Sequence, residues 1–188
     1  MQLIGLAGRA GCGKDTIANF LMETHGFVQI ALADVLRDGL KAMLGITDEQ
    51  MYRRDLKEQT IDWIGRSPRE LMQTLGTEWG RNHVAPDIWL RVAARRIEKY
   101  RTAKPCLHIA GIVVSDIRFE NEADWLRDQG GKVWHIKRHT SNQLAINAAA
   151  HSSEQHIPSK AGEPRIYNFG TLENLYEEVT ETLKEFHQ

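Results

Sequence analysis

The sequence predicts an α/β protein in which a five-stranded parallel sheet is covered by helices on both faces. Short apolar segments alternate along the chain with longer segments of helical periodicity, as buried parallel strands and their crossover helices do. The first apolar segment leads directly into a glycine-rich turn and a helix, which places a ligand site at the strand tips. With 188 residues, 41% of them hydrophobic, the chain can bury one sizeable core. We therefore expect one domain, residues 1–188, with inserted segments.

The strands and helices are predicted from their apolar patterns and their ends. Five short, mostly apolar segments are the predicted strands: residues 3–7, 27–31, 107–115, 132–137 and 166–169. Helices are predicted between them. Two capping boxes, Thr47 with Gln50 and Ser67 with Glu70, mark the starts of two of these helices. In the second box Pro68 occupies the first helical position, where proline is favoured.

Two stretches are longer than simple connections between strands and helices require. Residues 44–100 are mostly helical between the second and third strands, and we expect them to form an inserted subdomain with a break between Gly76 and Gly80. Residues 139–164 are polar and contain Pro158 and Pro164. They predict a lid or long loop between the fourth and fifth strands.

Composition and charge limit the classes of function. The chain carries 24 Lys and Arg against 25 Asp and Glu, a formal net charge of −1, so we expect neither nucleic acid nor a membrane surface as a partner. Any anion site must then be a local concentration of arginines. Cys12 and Cys106 show no metal-ligand or disulfide spacing, and we find no signal pattern or apolar run of membrane-span length. These features favour a reducing cytoplasm.

Residues 8–14, Gly-Arg-Ala-Gly-Cys-Gly-Lys, predict a phosphate-binding loop. The motif follows an apolar strand and opens a helix, so its position agrees with its composition. Its glycines allow successive N–H groups to curl around phosphate oxygens, and the helix N-terminus adds positive potential. Lys14 supplies a mobile cation for the outer phosphates. The alternative is a glycine-rich strand-to-helix turn that binds nothing.

Asp15 stands where such loops normally carry the hydroxyl that binds magnesium. Magnesium accepts a carboxylate oxygen readily and often keeps several waters. We therefore expect Asp15 to hold Mg²⁺ directly or through one water, with Thr16 on the α-phosphate. The alternative is an aspartate favoured at a helix start by the macrodipole, worth only ~0.3–1 kcal/mol.

Further charged residues follow the predicted strands and would face the same edge of the sheet. They are Asp34 and Arg37 after the second strand, Asp116 and Arg118 after the third, and Arg138 after the fourth. Arg69 and Gln73 share one face of a predicted helix, and Arg81 follows the expected break. Each could be a helix cap or a solvated charge. Together they suit a site that brings two polyanions close.

Six segments give the chain a family resemblance over nearly its whole length. They are "GLAGRAGCGKDTIA", "ALADVLRDGLKAML", "SPRELMQTLGTEWGR", "PDIWLRVAARRI", "VVSDIRFENEADWLRDQGGKVWHIKR" and "NFGTLENL". In this order they resemble the deoxynucleoside monophosphate kinases of bacteriophages, whose loops also end in GKDT. The resemblance implies a P-loop kinase fold and transfer of the ATP γ-phosphoryl group to a deoxynucleoside 5′-monophosphate. It also implies a possible homodimer and the host cytoplasm as location, with residues 44–100 binding the acceptor.

The resemblance and the charge pattern together assign expected roles. The ATP-binding residues are Gly8, Arg9, Ala10, Gly11, Cys12, Gly13, Lys14, Asp15 and Thr16 for the phosphates, and Asn168, Gly170 and Thr171 for adenine. The acceptor-binding residues are Asp34, Arg37, Arg69, Gln73, Arg81, Asp116 and Arg118. The expected catalytic residues are Lys14, Arg138, Asp34 and Asp116. Lys14 and Arg138 neutralise the transferring group, and the two aspartates orient the acceptor or bind metal-bound water.

Two alternatives stay open. The chain could phosphorylate another small molecule, such as a coenzyme precursor. It could also be a P-loop switch or assembly ATPase, although it has neither a D-x-x-G sequence after the third strand nor an N-K-x-D guanine motif. Both alternatives use the same glycine loop, so only substrate measurements separate them from a nucleotide kinase.

Overall fold

The computed structural model describes residues 1–102, 109–138 and 157–185. It divides into two compact units. The sheet unit consists of Met1–Ala31 and Ile97–Gln188, and the helical unit of Leu32–Arg96. In the parts of the chain that are described, none of the helices has the length and apolarity to cross a membrane.

The sheet unit contains five parallel strands in the order β2-β3-β1-β4-β5. They are β1 Gln2–Ala7, β2 Phe27–Ile30, β3 Gly111–Ile117, β4 Lys132–Lys137 and β5 Arg165–Tyr167. The five strands predicted from the sequence are confirmed, with shifted ends. The third continues to Ile117, and its first predicted residues, 107–108, lie outside the described part of the chain. The fifth ends at Tyr167, two residues before its predicted end.

Helices cover both faces of the sheet. In this unit they are α1 Lys14–His25, α7 Glu120–Asp128 and α8 Leu172–Glu185, while α6 Ile88–Thr102 continues into the unit from residue 97. Ile4 and Leu6 of β1 are fully buried in one cluster with residues of α1 and α8. Gly5 faces the opposite side, where a Cβ atom would lie 3.0 Å from Leu126 of α7. Alternate strand residues thus pack against two helical layers.

The helical unit is built from short helices around a small core of its own. They are α2 Asp34–Leu44, α3 Asp48–Tyr52, α4 Arg54–Lys57, α5 Pro68–Gln73 and the first turns of α6. Leu40, Ile46 and Met51 are buried together in the core of this unit. Both predicted capping boxes are present, at Thr47 and at Ser67. The unit begins at Leu32, before the start of the predicted insertion.

The predicted break between Gly76 and Gly80 is wrong, because Thr74–Val84 form a continuous π-helix. Both glycines contribute to packing, and neither interrupts the helix. Trp89 Nε1 donates a hydrogen bond to the Gly76 carbonyl at 2.7 Å. A Cβ atom on Gly80 would lie 2.2 Å from the Trp89 ring, so only glycine admits this close approach. Such π-helical turns are rare and often lie at functional sites.

The predicted lid is only partly described. Residues 139–156 of it lie outside the described part of the chain. Residues 157–164 lead into β5, and Ile157 is buried. The lid stays a prediction.

Candidate active site

The glycine loop lies between the buried end of β1 and the start of α1. Gly8, Gly11 and Gly13 all have positive φ, of 155°, 74° and 110°. Position 13 requires glycine for two reasons. Its φ is positive, and a Cβ atom there would lie 2.6 Å from the side-chain nitrogen of Asn168. The loop therefore takes a conformation that residues with side chains rarely adopt.

Four successive N–H groups are available for an anion at the start of α1. The first main-chain hydrogen bond of the helix runs from Ile17 N–H to the Gly13 carbonyl at 3.0 Å. Among the described residues, the N–H groups of Gly13, Lys14, Asp15 and Thr16 have no acceptor. Such donors, with the positive end of the helix dipole, form a site for phosphate oxygens. We call these four N–H groups the phosphate cradle.

Lys14 lies over this loop. Its Nζ donates hydrogen bonds to the carbonyl oxygens of Gly8 at 2.7 Å and Arg9 at 3.0 Å. It also lies 3.9 Å from Cys12 Sγ. Burial raises the pKa of the Cys12 thiol, against the opposing effect of Lys14, so the cysteine is a neutral packing residue at pH 7. The ammonium group is a cation of the loop that phosphates can meet.

Two side chains from the ends of neighbouring strands contact the loop carbonyls. Arg138, just after β4, donates from Nη1 to the Gly11 carbonyl at 3.3 Å. Asn168, just after β5, donates from Nδ2 to the Cys12 carbonyl at 3.0 Å. The structure thus brings both predicted residues to the phosphate cradle. The side chain of Thr171 instead accepts from the Asn174 N–H at 3.4 Å and caps the start of α8.

At the end of β3, Asp116 is half-buried and Arg118 is exposed. The turn between β3 and α7 is fixed by Glu122, which was not among the predicted site residues. Its side chain is buried and accepts from the N–H groups of Arg118 at 2.8 Å and Phe119 at 3.1 Å. Glu122 therefore sets the backbone from which Arg118 extends. The signal was present in the sequence as a glutamate three residues into a helix.

In the helical unit, the predicted acceptor residues Asp34, Arg37 and Arg81 are half-buried, while Arg69 and Gln73 are exposed. Asp34 and Arg37 form an ion pair at 2.6 Å, and Arg37 also lies over the Tyr52 ring at 5.4 Å. Arg69 pairs with Glu58 on the surface. Because exposed ion pairs contribute little, Arg69 remains available to a phosphate. Gln73, four residues on, is exposed as well.

Arg81 lies within the π-helix and is half-buried. Arg96 of α6 pairs with Asp38 at 3.2 Å. The same guanidinium lies 3.9 Å from Asp34. Arg96 thus helps to fix the first turns of α2, where Asp34 and Arg37 lie.

Comparison with known proteins identifies the family. The family model described as deoxynucleotide monophosphate kinase matches residues 65–179. A protein of Acanthamoeba polyphaga mimivirus, provisionally named a deoxynucleotide monophosphate kinase, is 31% identical over 186 residues, covering 95% of this chain and 94% of that protein. The chain belongs to the deoxynucleotide monophosphate kinase family. The predicted family and the predicted enzyme class, a nucleotide phosphotransferase, are confirmed.

Other relatives of this kinase agree with that assignment. The deoxynucleoside-5′-monophosphate kinase of Escherichia phage T5 is 32% identical over 248 aligned positions, which cover 94% of each chain. The deoxynucleotide monophosphate kinase of Enterobacteria phage T4 is 25% identical over 250 positions, covering 98% of this chain and 99% of that protein. The alignment with the T4 protein covers enough of this chain to include the glycine loop, which the family model does not.

Solved structures confirm the predicted three-layer P-loop kinase fold. A sugar kinase from Janibacter sp. HTCC2649 superposes with a TM-score of 0.51 and 14% identity, over 98% of this chain and 95% of that one. A Thermus thermophilus protein superposes with a TM-score of 0.53 and 19% identity, over 98% and 97%. At these identities the likeness concerns the fold alone.

A buried charge cluster in the kinase's sheet unit was not predicted. The Glu163 carboxylate accepts from Arg127 at 2.7 and 2.9 Å and from the Lys160 N–H at 2.7 Å. His135 Nε2 lies 3.0 Å from the same carboxylate. Burial alone would raise the pKa of the Glu163 carboxyl, but the bonds from Arg127, Lys160 and His135 lower it to about 2. The cluster ties the segment before β5 to α7 and β4.

Replacing Glu163 should therefore destabilise the kinase in a pH-dependent way. The folded-state pKa of about 2 lies below the ordinary glutamate value of ~4.3, so the stabilisation is complete above that value and is lost as the pH falls toward 2. We expect Glu163→Gln to lower the free energy of unfolding by ~3 kcal/mol at pH 7. The difference from wild type should shrink steadily between pH 5 and pH 2.5 in urea titrations.

Asp124→Asn is the matched control, because Asp124 contacts the same Arg127 at 2.8 Å but is 44% exposed. Its effect at pH 7 should be clearly smaller than that of Glu163→Gln. An equal stability difference at every pH would show that the Glu163 carboxylate charge is not what stabilises the cluster.

Proposed function

We propose that the protein transfers the γ-phosphoryl group of ATP to the 5′-phosphate of a deoxynucleoside monophosphate. The observation that carries the proposal is the phosphate cradle with Lys14 at the end of β1, in a chain of this kinase family. The relatives from phages T4 and T5 are named for this activity.

The chemistry requires positioning and charge neutralisation. The second pKa of a phosphate monoester is about 6, so the acceptor oxygen is already largely ionised at neutral pH and needs no general base. The site must align two phosphates, exclude water and offset their charge. Cations and backbone N–H groups perform these tasks, and the sheet unit supplies both around the glycine loop.

On the donor side, residues 8–16 hold the ATP phosphates and Lys14 moves from the loop carbonyls to the outer phosphates. Arg138, already beside the loop at Gly11, stabilises the charge of the transferring group. Residues 168–171 follow β5 and are half-buried or exposed, so Gly170 and Thr171 can line the adenine.

On the acceptor side, Arg69 and Arg118 grip the phosphate of the monophosphate. Both are exposed and end in guanidinium groups, which bind phosphate oxygens bidentately. Gln73 and Arg81 assist on the helical unit. Asp34 and Asp116 orient the acceptor or bind metal-bound water, and Arg37 is a further acceptor-binding residue.

Magnesium fits the chain as an ion held mainly by phosphates and water. Within the described residues, no group of three or more His, Cys, Asp or Glu side chains could hold a metal ion. Mg²⁺ commonly binds one carboxylate together with substrate phosphates and several waters. Asp15 supplies that carboxylate. It is exposed in the first turn of α1, and among the described residues it has no hydrogen-bond or ion-pair partner.

Replacing Asp15 should raise the magnesium requirement. We expect Asp15→Asn to increase the half-saturating Mg²⁺ concentration about tenfold or more, since a weakened metal site loses affinity on this scale. Asp15→Ser should restore part of it through the hydroxyl usual at this position. Activity is titrated with Mg²⁺ at fixed ATP.

Glu173→Gln, in the first turn of α8, is the control for a carboxylate that only favours a helix start. It should leave the magnesium curve unchanged. If both Asp15 variants also leave the curve unchanged and only lower the melting temperature, Asp15 is a helix-start residue and not a metal ligand.

Coupled ADP release across all common nucleoside monophosphates, ribo and deoxy, tests the function itself. We expect ADP release to depend on an added deoxynucleoside monophosphate. Phosphate release without an acceptor would favour a switch or assembly ATPase. Phosphorylation of an unrelated small molecule alone would favour the other kinase alternative. The homodimer, the cytoplasmic location and the absence of a nucleic-acid partner stay predictions.

A further inference from the structure

Arg138 and Asn168 hold two consecutive carbonyl groups of the glycine loop, those of Gly11 and Cys12. We propose that Asn168 is a positioning residue for the phosphate cradle: its side-chain amide fixes the Cys12–Gly13 peptide so that the Gly13 N–H faces the ATP phosphates. The inference rests on the proposed function, and it differs from the predicted role of Asn168 in lining adenine.

The geometry of a trans peptide links the two ends of this peptide group. A trans peptide is planar, with its C=O and N–H pointing in opposite directions, and no cis peptide bonds occur in the described chain. The Cys12 carbonyl points at Asn168 Nδ2, 3.0 Å away. The Gly13 N–H must therefore point away from Asn168. It has no acceptor among the described residues, and it adjoins the three N–H groups that open α1.

Asn168 is itself firmly placed. Its own N–H donates to the Lys137 carbonyl at 2.8 Å, which extends the pairing of β4 and β5 by one residue. The side chain then approaches Gly13 so closely that a Cβ atom there would lie 2.6 Å from Nδ2. Glycine at position 13 thus leaves room for the Asn168 amide and also allows the positive φ.

The amide chemistry accounts for asparagine at this position. The side-chain nitrogen of asparagine donates hydrogen bonds, whereas a carboxylate oxygen only accepts them. The Asn168 side chain can therefore donate a hydrogen bond to a backbone carbonyl, as it does to that of Cys12. Because residues 168–171 also form the loop proposed for adenine, one short segment contacts the phosphate cradle and can contact the base.

Inorganic tripolyphosphate separates the two roles, because it has no base. Its binding to the full chain is measured with Mg²⁺ present, beside the inhibition constant of adenosine and the KM for ATP. We expect Asn168→Ala to weaken tripolyphosphate binding about three- to tenfold, the usual effect of one lost hydrogen bond, and to raise the KM for ATP similarly. Adenosine inhibition and the acceptor KM should stay near wild-type values.

A second variant and a control complete the test. Asn168→Leu keeps the branched shape of asparagine but has no donor, so it should lose tripolyphosphate affinity as Asn168→Ala does. Asn174→Ala removes an amide that accepts from Thr171 N–H at 3.2 Å and Oγ1 at 3.1 Å. Asn174 lies in the first turn of α8, and among the described residues it has no hydrogen bond to the glycine loop, so this variant should bind tripolyphosphate normally.

Each other outcome overturns the inference in a distinguishable way. Normal tripolyphosphate binding with weaker adenosine inhibition in Asn168→Ala would return the residue to the adenine site. Recovery of affinity in Asn168→Leu would make its role one of packing. If the wild-type protein itself fails to bind tripolyphosphate, the phosphate cradle of the proposed function is wrong, and the inference falls with it.

Discussion

Lys14→Met should lower kcat for phosphoryl transfer at least ~100-fold while the protein stays folded. Positioned charge supplies most of the rate in this chemistry, and Lys14 is the lysine of the glycine loop. Methionine keeps much of the side-chain length and removes the charge. Among the described residues, Nζ bonds only to the carbonyls of Gly8 and Arg9 and to the Cys12 sulfur. These contacts are at the surface or only partly buried, so little stability depends on them.

The measurements are steady-state kinetics and a melting curve. Lys184→Met, the same substitution in the exposed last turn of α8, should change kcat by less than about twofold, because surface changes away from the site are nearly neutral. Near-normal turnover in Lys14→Met, with an intact melting curve, would show that the glycine loop is not the site of the donor phosphates.

The glycine loop and the five strands could be predicted because their signals are local. A loop motif needs only the seven residues 8–14 and the strand before them, and each buried strand is a continuous apolar run. The strand order β2-β3-β1-β4-β5 could not be read in this way. Pairing depends on contacts between distant segments, and no pattern within β1 specifies β3 and β4 as its neighbours.

The same reason explains which parts of the site were missed. Glu163 is joined to Arg127 and His135, which lie 36 and 28 positions away in the sequence, and nothing near residue 163 marks it as buried. Arg96 meets Asp38 across 58 positions. The π-helix was mistaken for a break because Gly80 weakens a helix by local propensity. The deciding interaction, the Trp89 ring against Gly80, is a packing contact that propensity does not contain.

Arg138 and Arg69 should differ in the kind of defect that their loss produces. Arg138 lies 3.3 Å from the Gly11 carbonyl, beside the phosphate cradle. Arg138→Ala therefore removes the positive charge that is proposed to stabilise the transferring group. It should lower kcat at least ~100-fold with a smaller change in KM. Arg69 lies in the helical unit, exposed and paired with Glu58. Arg69→Ala should raise the KM for the monophosphate about tenfold or more and leave the KM for ATP nearly unchanged.

Arg66→Ala is the matched control for Arg69→Ala. Arg66 lies three positions away, is exposed and also pairs with a glutamate, Glu70, at 3.3 Å, but it is not among the residues proposed to bind substrate. If a general loss of surface positive charge caused the defect, Arg66→Ala would raise the acceptor KM as Arg69→Ala does. If Arg69 grips the acceptor phosphate, Arg66→Ala should change that KM by less than about twofold. Arg138 is proposed to act on the transferring group and Arg69 on the acceptor phosphate. Identical kinetic defects in Arg138→Ala and Arg69→Ala would contradict this assignment, because the two arginines would then not act on different phosphates.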